Sequence, residues 1–590
     1  MINSRLQQLR AKLIEHDYAA YIMPLGDPHQ SEYPASYWKS LPWISGFSGS
    51  AGIVVVTLEH AGLWTDSRYF IQAEQELSTS SFEMHKMDGS RSPSFLKYLG
   101  DNLSKGDKVI ADGPMISLAQ REKYNSVLSA KGLKLTMTKD FISHIWEDRP
   151  EIPQERVFEH DIKYAGIDRK EKIANIRTEM EKIGADQHLI TTLDDIAWLL
   201  NLRGSDVACN PVFCSYCLIR PNDVILFVDP NKLSKELKSK LSADGINVAS
   251  YESVDNTLAG LDPNTKILLH KGTINVHLNS LIPESSIIYG QLISRHLKAV
   301  KNDIEIGHFR DVHVKDAVAL THAFYWLEKT LAERTVSEVE LGEKIAACRA
   351  AQDHYYGESF NAIVGYKGNG AIIHYRAQKE TCADIENNGI LLVDSGGQYH
   401  DGTTDITRTI TMSAPPPEQK DAYTRVLKGH IGLAISTFPI GTTGGQLDTF
   451  ARQSLWKNGL NYGHGTGHGV GFFLNVHEPP QGFAPGSAGR ASSIIKEGMV
   501  TSNEPGHYVT DKYGIRIENL ILTVPSKHEG FLTFETITYF PIDTQLIEFT
   551  LLTKEEVDWL NDYHQMVWEK VGPHLEGEHK AWMKKKCVRV

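Results

Sequence analysis

Cysteine is scarce, with six residues in a chain of 590. That number and its spacing exclude a disulfide-framed scaffold. Cys209, Cys214 and Cys217 lie close together, but no second ligand pair of zinc-site spacing accompanies them. Their neighbours Val212, Phe213, Tyr216, Leu218 and Ile219 predict a buried strand in which small thiols pack. No apolar run reaches the roughly 18 residues that a membrane helix needs. An excess of positive charge is also missing. The net charge of −12 argues against nucleic acid or an anionic membrane as the main partner. The one basic run, 584–589, reads as a short solvated tail. The final Cys587-Val588-Arg589-Val590 has the outline of a prenylation box, but Arg589 stands where an aliphatic residue belongs. The first 17 residues carry charge throughout and no apolar signal core, so a cytoplasmic protein is expected. They predict an amphipathic helix with Ser4 as N-cap and Leu6, Leu9 and Leu13 on one face.

What is present is ordinary globular composition, 41% hydrophobic and 23% charged, in a length that suits about three domains. The first half contains one pattern twice. An amphipathic helix, a short apolar strand, a tryptophan, a Gly-Ser turn and two strands follow one another. Trp43 and Ser50 recur as Trp198 and Ser205 at the same offset. Helices alternating with apolar strands predict two similar α/β domains, 1–150 and 151–299. From 300 the texture changes. A long helix over 303–328 is predicted, then a helix opened by a Thr335/Glu338 capping box, then a region rich in Gly, His, Asp and β-branched residues. A Pro-rich turn precedes one more helix near 419–437. Residues 300–590 thus predict an α+β domain with a curved antiparallel sheet.

Five side chains in that last domain could bind a metal. The apolar run Ile390-Leu391-Leu392-Val393 ends in Asp394, and Asp405 opens an alternating strand beyond a Gly-Gly turn. Two neighbouring carboxylates in an apolar setting repel, and a bound cation removes that cost. His464 and His468 lie in a Gly-rich segment that permits close backbone approach. Glu504 follows the apolar run 499–501, and alternation puts Arg516 and Glu518 on one face of a strand whose isoleucines face away. Four carboxylates and one imidazole favour a hard divalent ion such as manganese, and five donors exceed what one four-coordinate ion needs.

The ordered set Asp394, Asp405, His468, Glu504, Glu518 resembles the ligand set of the pita-bread metallopeptidases. The chain most resembles their aminopeptidase P (Xaa-Pro aminopeptidase) branch in its three-domain form. The resemblance rests on Gly370 to Tyr375, Asp394 to Tyr399, Asp401 to Thr409, His464 to Gly471, Asn475 to Glu478 and Asn503 to Gly506. Trp43 to Gly52 and Trp64 to Phe70 look like the first domain of that family, although Tyr37-Trp38 and Leu41-Pro42-Trp43 are bulkier than its pattern. The resemblance implies two creatinase-like domains before a pita-bread catalytic domain. It also implies two divalent ions, manganese with zinc and cobalt as alternatives. Asp394 would hold one, His468 and Glu504 the other, with Asp405 and Glu518 bridging. Glu504 would also shuttle the proton, His374 and His477 would act in catalysis, and His464, Tyr508, Arg516 and Phe360 would bind substrate. The implied reaction releases the first residue of peptides whose second residue is proline, and a homodimer is expected. A prolidase cutting only Xaa-Pro dipeptides is the runner-up. A metal-free peptide- or histone-binding module and a metal-free hydrolase of small amidines are the readings from other classes.

Overall fold

The computed structural model describes residues 1–87 and 93–590. The chain divides into two compact units, one formed by 1–160 and 167–294, the other by 161–166 and 295–590.

The first unit holds two six-stranded sheets of the same topology. In each, the first strand is central. It pairs antiparallel with the second, the second antiparallel with the third, and the third parallel with the fourth. On its other side the first strand pairs parallel with the fifth, which pairs parallel with the sixth. The first strands are Ala20–Pro24 and Gln187–Ile190. Ala20–Pro24 is apolar because both faces of its sheet are covered. Tyr21 and Met23 face one buried cluster with Leu6, Leu9 and Leu13, while Ala20 and Ile22 face another with Trp64 and Phe95. The repeated tryptophans sit in matching helices, Ser40–Ser45 and Leu193–Leu200. Cys217 lies in the strand Tyr216–Ile219 and is fully buried, and all six cysteines are free thiols.

Two local predictions are corrected. The first helix, Ile2–Glu15, begins at Met1 and has no side-chain cap, so Ser4 lies inside it. The helix Glu338–Ala350 is capped by Ser337, whose hydroxyl accepts from the Glu340 amide. Glu338 is buried instead, and its carboxylate accepts from the amides of Tyr366 and Ala383 and from the Tyr375 hydroxyl. Two overlapping S/T-x-x-E patterns compete here, and the need to satisfy buried amides decides between them.

The second unit consists of antiparallel sheets flanked by helices. Ile363–Tyr366, Ile390–Ser395 and Ile406–Thr411 form a three-stranded sheet. Phe438–Pro439, Phe531–Thr536, Asn519–Pro525, Val500–Asn503, Gly467–Gly469 and Glu478–Phe483 form a six-stranded one. The helices Asp303–Leu331, Pro417–Ala434 and Lys554–Val571 bury Phe324, Leu427 and Val567 against Leu391, Val393 and Ile515. Among the described residues no helix is long and apolar enough to cross a membrane.

Candidate metal centre

The strand Ile390–Ser395 brings Asp394 into register with Thr407 of the strand Ile406–Thr411, and Asp405 immediately precedes that strand. His468 is the middle residue of Gly467–Gly469, and Glu504 directly follows Val500–Asn503. Glu518 lies between Tyr513–Arg516 and Asn519–Pro525. The backbone beside His468 approaches its neighbouring strand closely. A Cβ at Gly467 would run into the Ser502 carbonyl.

One donor atom each from Asp405, His468 and Glu518 lies within 4.8 Å of the others, and all three residues are buried. His468 Nε2 lies 3.3 Å from Glu504 Oε1 and 3.5 Å from Asp405 Oδ2. Its Nδ1 is 2.9 Å from the Gly469 carbonyl, to which it donates. That bond assigns the proton to Nδ1 and turns the bare Nε2 lone pair toward carboxylate oxygens. Asp394 Oδ1 is buried with no hydrogen-bond partner.

The electrostatics agree. Burial raises the Asp405 carboxyl well above its ordinary range, and the charges of Glu518, Asp394 and Glu504 add to the shift. Burial likewise raises Glu518, again with Glu504 and Asp394. Glu504 is pushed up to about 7, chiefly by burial, with Asp394 adding to burial and Arg516 opposing it. Acceptor-only atoms converging at this density fit a divalent cation, which would replace their mutual repulsion by attraction.

The Arg516 guanidinium is buried. Nη2 donates to Asp394 Oδ2 at 2.7 Å, Nε to Thr407 Oγ1 at 3.1 Å and Nη1 to the Tyr508 hydroxyl at 2.8 Å. Burial works to lower its proton affinity but is outweighed by Tyr508, Asp394 and Glu504. The Tyr508 hydroxyl is 2.8 Å from His464 Nε2, and His464 Nδ1 donates to the Gly465 carbonyl at 2.7 Å. The His477 ring meets the His468 ring edge-on at 4.3 Å. His374 and Phe360 are half-buried. Phe360 follows Ser359, whose hydroxyl donates to the Thr404 carbonyl at 2.9 Å.

Three contributors escaped the sequence reading. Thr407 donates its hydroxyl to Glu518 Oε2 at 2.7 Å. The Ser502 hydroxyl donates to Glu504 Oε1 at 3.1 Å while accepting from the His468 amide at 3.0 Å. Arg408 donates to the Glu518 carbonyl at 2.6 Å and to the carbonyls of Pro541 and Phe540. Alternation put Thr407 on the face of Asp405, and Ser502 stands two residues before Glu504 in a strand. That spacing was the available signal for both.

Fold and site define a metallopeptidase. Residues 307–525 match metallopeptidase family M24, and 530–590 match its C-terminal region. Residues 5–145 and 148–305 each match a creatinase/prolidase N-terminal domain. A probable Xaa-Pro aminopeptidase P of Laccaria bicolor is 40% identical, covering 99% of this chain and 93% of its own. Aminopeptidase P2 of Arabidopsis thaliana is 39% identical, with 98% of this chain and 87% of its own covered. The crystal structure of an X-prolyl aminopeptidase from Caenorhabditis elegans, described as a cytosolic enzyme with a di-nuclear active site, superimposes with a TM-score of 0.95. It is 34% identical, and all of both chains is covered. The chain belongs to the Xaa-Pro aminopeptidase P family.

Proposed function

We propose that this enzyme removes the first residue from peptides of three or more residues that begin Xaa-Pro. The observation that carries the reading is full-length similarity to named Xaa-Pro aminopeptidases, joined to a buried centre of four carboxylates and one imidazole. We assign Asp394 to one divalent ion, His468 and Glu504 to a second, and Asp405 and Glu518 to the bridge between them. Manganese is our choice, because the donors are mostly hard oxygens. Divalent ions held by these residues would supply hydroxide-forming and Lewis-acid chemistry near neutral pH.

The protein's own groups do the rest. Glu504 moves a proton at a carboxylate oxygen between the attacking water and the leaving proline nitrogen. Ser502 steadies that carboxylate. Arg516 is expected from the resemblance to bind substrate, but because its guanidinium is buried we assign it instead to orienting Asp394 and to holding the Tyr508 hydroxyl toward His464. His374 and His477 are assigned to the carbonyls of the substrate as oxyanion donors. His464 and Tyr508 bind substrate and Phe360 walls the proline ring, a group with no N–H to grip. We assign 1–150 and 151–299 to two creatinase-like domains and 300–590 to catalysis. A cytoplasmic homodimer completes the proposal. The exposed Ile440, Phe450, Trp456 and Ile494 are apolar surface available for an interface between copies.

The test is mass spectrometry of digests of Arg-Pro-Pro, Arg-Ala-Pro and Gly-Pro. Rapid release of arginine from the first, with slow or no cleavage of the second, is expected. Cleavage of Gly-Pro alone would make the enzyme a prolidase. Equal rates on the two tripeptides would remove the proline pocket.

A further inference from the structure

Among the described residues, one other group of side chains converges as metal ligands do, and it lies in the first sheet of the first unit. His60 sits in the turn between the strands Ile53–Thr57 and Ala61–Thr65. Its backbone is fixed there, with its amide donating to Thr57 Oγ1 at 2.9 Å and its carbonyl accepting from the Thr57 amide at 2.8 Å. Glu83 and His85 are alternate residues of the edge strand Glu83–Lys86, so both project from one face. That strand pairs parallel with Ala61–Thr65, placing His85 opposite Trp64.

We propose that His60, Glu83 and His85 form a mononuclear binding site for a zinc-class divalent cation, separate from the catalytic centre. The two Nε2 atoms are 3.0 Å apart. One donor atom from each of the three residues lies within 4.8 Å of the others. Zinc–imidazole bonds of about 2.0–2.1 Å in a tetrahedral site place two nitrogens about 3.3 Å apart. The rings therefore need to part by only a few tenths of an ångström. They are also held. Trp64 stacks on His85 at 4.2 Å with the planes 8° apart, and Tyr98 packs on His60 at 4.9 Å.

The 3.0 Å contact between the two Nε2 atoms is a hydrogen bond in which one ring donates and the other accepts, and a cation seated between them would take the place of that shared proton. Arg10 is the cation that opposes an incoming charge, and Glu83 is the neighbouring acid that favours it. The Glu83 side chain is 72% exposed and free to swing onto an ion. Its Oε1 stands 3.9 Å from Nδ1, the other nitrogen of the His60 ring, so that swing is what brings the carboxylate to the Nε2 side. Three protein donors leave a fourth position for water. Two nitrogens and one oxygen select zinc, copper or nickel over manganese. The chain then carries two metal chemistries, one rich in oxygen and one rich in nitrogen.

The test uses the full-length enzyme stripped with chelator and dialysed against buffered micromolar zinc. Bound zinc is counted by mass spectrometry for wild type, His60→Gln and Glu83→Gln. Each variant is expected to lose about one zinc per chain, and zinc-edge anomalous scattering from wild-type crystals is expected to place an ion between the two rings. Equal zinc in all three proteins, or no anomalous peak at His60 and His85, overturns the proposal. The anomalous measurement needs no variant, so a folding defect in either substitution leaves the question decidable.

Discussion

Removing metal from the catalytic centre should make stability depend on pH in an unusual direction. In the metal-free protein Glu504 is raised from 4.5 to about 7. A carboxyl whose folded pKa lies above its unfolded value binds more protons in the folded state between those two values. Unfolding free energy then falls as pH rises through that window, and the penalty is absent below about pH 4.5 and complete above about pH 7. The difference between 4.5 and about 7, at about 1.36 kcal/mol per pH unit, puts the penalty at about 3 kcal/mol for Glu504 alone. Asp405 and Glu518 shift the same way. For the second unit of roughly 300 residues, about 2 cal/mol/K per residue converts 3 kcal/mol to about 5 °C in Tm. Glu504→Gln removes the titration while keeping an oxygen to accept from Ser502. Metal-free Glu504→Gln should therefore melt about 5 °C above metal-free wild type at pH 7.5 and level with it near pH 4.5. With metal restored the order should reverse, since the amide is the poorer ligand. Differential scanning fluorimetry across this range with and without metal reads all four states. A metal-free variant no more stable than wild type at pH 7.5 would refute the argument that burial makes the ionised Glu504 carboxylate costly when no cation is bound.

Three further outcomes are expected. Asp405→Asn and Glu518→Gln should each lose most bound metal by elemental analysis and at least 10²-fold in kcat, whereas His468→Ala should mainly weaken one site. Glu478, buried against the ammonium groups of Lys298 and Lys301, should tolerate no neutral replacement. Glu478→Gln leaves two buried cations short of a counter-charge and should cost about 3–5 kcal/mol in urea unfolding. Arg408→Lys keeps the charge but loses the fork that spans the Glu518, Pro541 and Phe540 carbonyls, and should lower metal affinity about tenfold by isothermal titration.

Periodicity and order carried much of the architecture. Trp43 and Trp198 at one offset pointed to a repeated unit, and the two sheets share topology strand for strand. Helix starts were harder, because Thr335/Glu338 and Ser337/Glu340 fit one pattern and only burial separates them. The short segment 161–166, which belongs with the second unit, carries no compositional mark that would detach it from its neighbours. At the metal centre, alternation set the face of Arg516 but not its partners. Its bond to Asp394 joins residues 122 positions apart, and such pairing is decided by sheet register rather than by local pattern. Arg408 was invisible for the same reason, since its acceptors are mostly main-chain carbonyls, which no side-chain motif encodes.

The hydrogen bonds of His464 and His468 have a consequence for protein engineering. Each ring donates from Nδ1 to the carbonyl of the glycine that follows it. The Nδ1 proton of each ring is thus placed within a dipeptide. A segment with that property is portable. Grafted between the strands of another antiparallel sheet that leaves room for its glycines, residues 464–469 would bring a ready-aimed Nε2 donor with them, and the host would have to supply only the oxygens.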